Sequence, residues 1–222
     1  AFFYGSRGHR RAMAYLEYGL HQSEGFIVIT GEVGAGKTTI VRSLLEQLDA
    51  GKVVAATIVS TQVDASDILR MVAGAFGVPS RNLDKAGLLL AIETYLVSVA
   101  AAGKRALLII DEAQNLSAAA VEELRILSNF QLEEHALLQS FLVGQPEFRD
   151  MMQRAEMQQL RQRVIASYHL GPLDLQETRG YVEHRLRHVG WAEDPRFEAG
   201  SFNAIYGYTG GIPRTINTLC DR

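Results

Sequence analysis

The sequence predicts an α/β fold, a parallel sheet covered on both faces by helices, with a small all-helical part after it. Three observations carry this expectation. Five short apolar runs, 26–30, 53–59, 105–111, 137–144 and 164–170, read as buried strands, and helical spacing separates them. The first run leads through a glycine-rich loop directly into a helix. After Gly171-Pro172 the strand pattern stops and only helical periodicity continues. The division expected from this is 1–171 for the α/β part and 172–222 for a helical lid.

Residues 1–25 are aromatic and basic, with Phe2, Phe3, Tyr4, Arg7, His9, Arg10 and Arg11, and a helix to about Leu20 puts Ala12, Tyr15, Leu16 and Leu20 on one side. The strand Phe26-Ile27-Val28-Ile29-Thr30 enters the loop, and Ile40, Val41, Leu44, Leu45 and Leu48 follow at helical spacing. Asp64 or Ser66 caps a helix with Ile68, Leu69, Val72 and Phe76 that ends near Gly77 and Pro79. Asp84 starts a long helix closed by Gly103, and Ser117 caps one through Leu127. Residues 147–163 read as helical. In the lid, Asp174 and Glu177 form a capping-box pattern for a helix to Val189, broken by Gly190, Asp194 and Pro195. Phe202, Ile205 and Tyr206 mark a short helix, and Pro213 opens the last one.

The loop itself, Gly31-Glu32-Val33-Gly34-Ala35-Gly36-Lys37-Thr38, fits G-x-x-x-x-G-K-[ST] at every fixed position, with Thr39 next. Its glycines let the backbone curl so that N–H groups point inward. That nest adjoins the positive end of a helix, where an anion is favoured. Lys37 adds a charge for β- and γ-phosphates, and Thr38 a hydroxyl for Mg²⁺. An ordinary glycine turn would not require this whole pattern between a strand and a helix.

At 222 residues, 47% hydrophobic and 21% charged, the chain buries a sizeable core, and a net charge of −3 exerts no global pull on nucleic acid or anionic membrane. Cys220 is the only cysteine, which fits a reducing cytoplasmic setting. The longest apolar run, Leu88 to Ala102, is interrupted by Glu93 and Thr94 and is too short to span a bilayer. The start at Ala1 and the stop inside a helical pattern suggest an excerpt of a longer protein, with any membrane attachment in segments outside it. The histidines, including His184 and His188 at i, i+4, form no metal set.

A phosphate loop alone could serve a kinase, a GTPase, a transporter or a motor. Leu107-Leu108-Ile109-Ile110-Asp111-Glu112 narrows this, because a buried strand ending in two acids sets Asp111 to hold a Mg²⁺ shell and Glu112 to polarise a water for in-line attack. Gln145, after the 137–144 strand, is placed to orient water or touch the γ-phosphate, or is an ordinary loop residue. Arg214, at the start of the last helix, can reach phosphates from the lid. Arg161 and Arg163 precede the last strand, where an arginine can enter a neighbouring subunit's site or make a structural salt bridge. Ser60 or Thr61 could restrain Glu112, and Phe3, Tyr4 and His9 could wall the base or belong to the core.

With the loop, the acid pair and the lid in place, the chain resembles the AAA+ ATPases. More narrowly it resembles the ExeA/GspA-type general-secretion ATPases through GEVGAGKTT, IIDEAQNLS, EELRILSNF, LVGQPEFR, LRQRV and GGIPRTINTLCDR. Within these it is most similar to the secretion ATPases of exosortase (XrtA/PEP-CTERM) exopolysaccharide loci, through FFYGSRGHRRAMAYLEYGL and SYHLGPLDLQET. The resemblance implies a three-layer P-loop NTPase sheet in order 5-1-4-3-2 and a helical lid. It also implies ATP and Mg²⁺ as ligands, with Lys37, Thr38, Asp111 and Glu112 in the roles given above. Gln145 matches a first sensor where relatives often carry Asn, Ser or Thr, Arg214 matches the lid sensor, and Arg161 or Arg163 the arginine finger of a homo-oligomer. The function expected is an ATPase powering export of surface polysaccharide or envelope protein at the inner face of the membrane, partnered by export machinery. The alternatives are a DNA-associated ATP switch of the TnsC/MuB type, for which Arg7, Arg10 and Arg11 would meet phosphates, and an adaptor that binds ATP without turnover.

Overall fold

The computed structural model describes residues 3–22, 25–60, 64–194 and 196–220. Among them seven strands occur: β1 (Phe26–Gly31), β2 (Val53–Val59), β3 (Arg105–Asp111), β4 (Gln131–Leu132), β5 (His135–Ala136), β6 (Leu138–Gly144) and β7 (Val164–Leu170). The helices are α1 (Arg7–Gln22), α2 (Lys37–Gln47), α3 (Ala65–Ala75), α4 (Lys85–Ala101), α5 (Ala118–Leu127), α6 (Pro146–Gln153), α7 (Gln158–Arg161), α8 (Leu175–His188), α9 (Ala199–Thr209) and α10 (Pro213–Cys220). Five parallel strands form one sheet in the order β2-β3-β6-β1-β7. With the two-residue strands of the β4–β5 hairpin set aside, that is the order 5-1-4-3-2.

Alternation along the strands makes three layers. Val28, Leu108, Ile110 and Leu142 pack on one face with Ile68, Leu88 and Leu124 from α3, α4 and α5. Ile27, Ile29, Leu107, Ile109, Phe141 and Val143 pack on the other with Leu16, Ile40 and Leu44 from α1 and α2. Because both faces are covered, β1, β3 and β6 are buried almost throughout and mostly apolar, with Gln139 and Ser140 the buried polar residues of β6. The register aligns Val59 with Asp111, and Thr30 with Gly144. The carboxyl ends of β1, β3 and β6 therefore share one edge, where open α/β sheets bind ligands. No helix among the described residues is long and apolar enough to cross a membrane.

A third cluster, Leu173, Tyr181, Val182, Phe202 and Ile216, joins α8, α9 and α10. The Asp174–Glu177 capping box is formed in both directions at the start of α8. Arg7 bridges Asp174 and Glu177, and its backbone N–H donates to Glu177 Oε1 at 2.8 Å, so the first turn of α1 holds the first turn of α8.

Local details depart from the sequence expectations. The 147–163 stretch is not one helix: Arg154 is extended (φ −65°, ψ 151°) and separates α6 from a 3-10 turn and α7. Arg161 donates to the Met152 carbonyl, and to the Arg154 carbonyl at 2.7 Å, and so satisfies groups the break leaves without helical partners. Tyr15 lies at the surface, 40% exposed and stacked on Tyr168, whereas His9, Met13 and Gly19 take the inner side of α1. Asp64 precedes α3 without a side-chain cap bond. The β4–β5 hairpin, turning through Glu133 at φ 57°, had no signal recognised in the sequence.

Candidate functional site

β1 ends at Gly31, and the chain turns through Glu32–Gly36 into α2. Gly36 precedes that helix at φ 106° and ψ 13° and offers no side-chain cap, so the first-turn N–H groups of α2 are open to an anion. Two close approaches fix the loop. A Cβ on Gly36 would stand 2.5 Å from His9 Nε2 beneath it, and a Cβ on Gly34 (φ 83°) would overlap Arg214 Cβ above it. The Arg214 backbone N–H also donates to Gly34 O at 3.2 Å, so the lid is docked on the loop.

Lys37 is buried, and its Nζ donates to Gly31 O at 2.7 Å and Glu32 O at 3.0 Å. Burial pushes its pKa down, opposed by the charges of Glu112, Asp111 and Glu32. Thr38 Oγ1 donates to Asp111 Oδ2 at 2.9 Å, and Asp111 Oδ1 accepts the Glu112 backbone N–H at 2.9 Å. Glu112 sits in the left-handed region (φ 56°, ψ 40°), an uncommon conformation for a residue with a Cβ. Gln114 Nε2 donates to Glu112 Oε2 at 2.6 Å, and Gln145 Nε2 donates to the same oxygen at 3.1 Å. These bonds, the Gln114 one foremost, hold the Glu112 carboxyl below the usual carboxylate range despite partial burial.

Between loop and lid lies a cleft of about 440 Å³, with Glu112 and Gln145 on one side and Tyr181, Arg185, Arg214 and Asn217 on the other. Tyr181 donates its hydroxyl proton to Asn217 Oδ1 at 2.9 Å. The structure thus brings Lys37, Thr38, Asp111, Glu112, Gln145 and Arg214 together around the loop residues 31–39. The donor set fits a nucleoside triphosphate with Mg²⁺. A glycine cradle, a buried ammonium and two lid arginines suit phosphates, and the Thr38 hydroxyl and Asp111 carboxylate are hard oxygen ligands. Among the described residues no group of three His, Cys, Asp or Glu could hold a metal, so Mg²⁺ would need substrate and water oxygens besides.

Other expected residues lie elsewhere, and these are corrections. Phe3, Tyr4 and His9 do not line this cleft. His9 turns inward under the loop, where Nδ1 pairs with Ser6 Oγ at 2.7 Å, and Phe3 meets its ring edge-on. Tyr4 packs against Tyr181 and His184 of α8 instead of a base site. Arg161 and Arg163 lie outside the chain's own cleft, as the expected role in a neighbouring subunit's site requires, and are not among these corrections. Arg161 is committed to the α6 break, and Arg163 marks the amino-terminal end of β7, where its carbonyl accepts the Phe26 N–H. Ser60 is buried beside Asp111, its N–H donating to the Asp111 carbonyl, while Thr61 lies outside the described residues. Sequence reasoning missed Gln114, Tyr181, Arg185 and Asn217. Gln114 carried a signal, two residues beyond Glu112; the lid residues carried none short of knowing how α8 and α10 dock.

A parallel sheet that presents a phosphate loop and a carboxylate pair along one edge, roofed by helices, is the fold of P-loop nucleoside triphosphatases. Residues 20–152 match the AAA domain family, and the chain belongs to it. Over its whole length it is 41% identical to General secretion pathway protein A of Aeromonas hydrophila, and it spans 40% of that protein. Among solved structures it superposes on Cdc6p from Pyrobaculum aerophilum with a TM-score of 0.76 at 16% identity, covering 99% of this chain and 62% of that one. The Aeropyrum pernix ORC2 protein in its ADP form gives 0.68 at 18% identity, covering 96% and 60%. A variant of RuvB from Thermotoga maritima gives 0.60 at 18% identity, covering 98% and 61%. At these identities the structural likeness concerns the fold.

Proposed function

We propose that the chain is the Mg²⁺-dependent ATP-hydrolysing part of a secretion ATPase, with residues 1–171 as the catalytic domain and 172–222 as its lid. One observation carries the reading: Lys37, Glu112 and Arg214 surround a single cleft, supplying phosphate charge, a base and a lid contact. When bound, Mg²⁺ supplies charge neutralisation on the phosphate oxygens. The chain's own residues do the rest. The N–H groups of the loop and α2, with Lys37, hold the triphosphate, Thr38 and Asp111 hold the ion, and Glu112 takes the proton of the attacking water. Gln145 orients that carboxylate, and Arg214 links phosphate occupancy to lid position.

The whole-length likeness to a general secretion protein supports export as the process served. The narrower reading, export of exopolysaccharide or envelope protein from an exosortase-type locus, rests on the sequence motifs. A homo-oligomer would bring a neighbour's Arg163 or Arg161 to the γ-phosphate, and action at the inner face of the membrane would follow from segments beyond this chain.

The test is ATP binding and turnover by the purified chain. Lys37→Ala should abolish binding, and Glu112→Gln should bind ATP and fail to hydrolyse it. Undiminished affinity in the first, or wild-type turnover in the second, would remove the reading.

A further inference from the structure

We infer that Gln114 is a positioning residue for hydrolysis: it clamps one oxygen of Glu112 so that the other is presented to the attacking water. The inference rests on the proposed ATPase reading and concerns a residue that the phosphate-loop and acid-pair motifs leave without a role.

The geometry is specific to this turn. Glu112 leaves β3 in the left-handed conformation, and the Asn115 N–H closes back on the Glu112 carbonyl at 3.0 Å. That 3-10 turn, Ala113–Asn115, returns Gln114 beside the carboxylate two residues before it. Both ends of the Gln114 amide are occupied: Nε2 donates to Glu112 Oε2 at 2.6 Å, and Oε1 accepts the Gln145 backbone N–H at 3.0 Å. A flipped amide would point its NH₂ at the Gln145 N–H and its oxygen at a carboxylate, losing both bonds, so the network fixes the orientation. The space is closed too, since a Cβ on Gly144 would stand 3.1 Å from Gln114 Oε1.

The turn is also anchored on the other side, where Asn115 Nδ2 donates to Ser60 O at 3.0 Å. The clamp is therefore tied to the ends of both strands that flank β3, β2 through Asn115 and β6 through Gln114. Glu112 Oε2 receives two amide donors, from Gln114 and Gln145, whereas Oε1 accepts no hydrogen bond among the described residues. Glu112 lines the cleft, so Oε1 is the oxygen left for a water. Holding a base within a few tenths of an ångström of its productive position is worth orders of magnitude in rate, and a side chain bonded at two points does this better than a single contact.

The experiment is a double-mutant cycle on ATP turnover. Gln114→Met keeps length and removes both bonds; it should lower kcat about 10- to 100-fold with KM changed less than about twofold. In a Glu112→Gln background the same substitution should change the residual rate less than about twofold. If Gln114→Met proves unstable, Gln114→Glu keeps the shape and reverses the donor, and should show the same kcat loss. Wild-type kcat in a folded Gln114 variant, or an equal loss in both backgrounds, overturns the clamp. Failure of the wild-type protein to bind ATP would instead bring down the ATPase reading, so the two failures are separable.

Discussion

Thr38 Oγ1 donates to Asp111 Oδ2 at 2.9 Å, tying the first turn of α2 to the last residue of β3. The bond holds together the two oxygen groups proposed above to bind Mg²⁺. Asp111→Asn preserves shape and a bond to Thr38 and removes the charge. ATP affinity in this variant should no longer improve when Mg²⁺ replaces EDTA, a loss of at least about 1.4 kcal/mol, or tenfold. Calorimetric titrations with and without Mg²⁺ check this; a retained Mg²⁺ enhancement would take Asp111 off the ion.

At Gly34 the loop lies directly against Arg214 at the start of α10. Alanine there would need a left-handed backbone, costing about 1–2 kcal/mol, and its methyl would overlap Arg214 Cβ. Gly34→Ala should therefore push α10 off the loop, lower Tm by several degrees and weaken ATP binding. Proteolysis between Gly171 and Leu173 should speed up as the lid loosens. Unchanged protease resistance would mean that the docked lid does not depend on this approach.

The two arginines before β7 should separate. Arg161 donates to carbonyls at the α6 break, so Arg161→Ala should cost about 1–3 kcal/mol of stability whatever the oligomeric state. The Arg163 guanidinium makes a long contact, 3.4 Å to Ser128 O, and Arg163→Ala should leave stability within about 0.5 kcal/mol. If Arg163 acts in trans, specific activity should rise with protein concentration in the wild type and stay flat in the variant. A wild-type rate independent of concentration across the assembly range speaks against a finger.

The features legible in the sequence are those that a local pattern determines. Apolar runs marked the three central strands β1, β3 and β6 because parallel strands covered on both faces are mostly apolar. The part-exposed edge strands β2 and β7 still carried enough apolar residues to be read. The loop and the Asp174–Glu177 box are local hydrogen-bonding devices with fixed spacing. The rest depended on docking. Tyr4 and His9 are five residues apart, yet the entry into α1 sends His9 under the loop and Tyr4 onto α8, so neither forms a wall. Arg185 and Asn217 reach the cleft only because Arg7 and Gly34 hold the lid in place. The break at Arg154 carries neither Gly nor Pro, so the helical pattern ran through it.

His9 gives the clearest dependence on pH. It is buried, its Nδ1 pairs with Ser6 Oγ and its ring bonds the Ala35 backbone. Burial pushes its pKa below the ordinary value, outweighing the Ala35 bond and the Glu177 charge, which both act upward. The unfolded chain then takes up a proton before the folded one does. Stability from this group is complete above about pH 6.5 and is lost as pH falls from there through the lowered folded value. Each unit of depression is worth about 1.4 kcal/mol. His9→Gln should lower stability at neutral pH and also lose less between about pH 7.5 and 5.5 than the wild type does. Urea unfolding at the two pH values measures the difference, and His184, whose pKa is also lowered, contributes equally to both proteins and cancels. Equal losses in the two would mean that folding leaves the pKa of the imidazole under the phosphate loop unshifted.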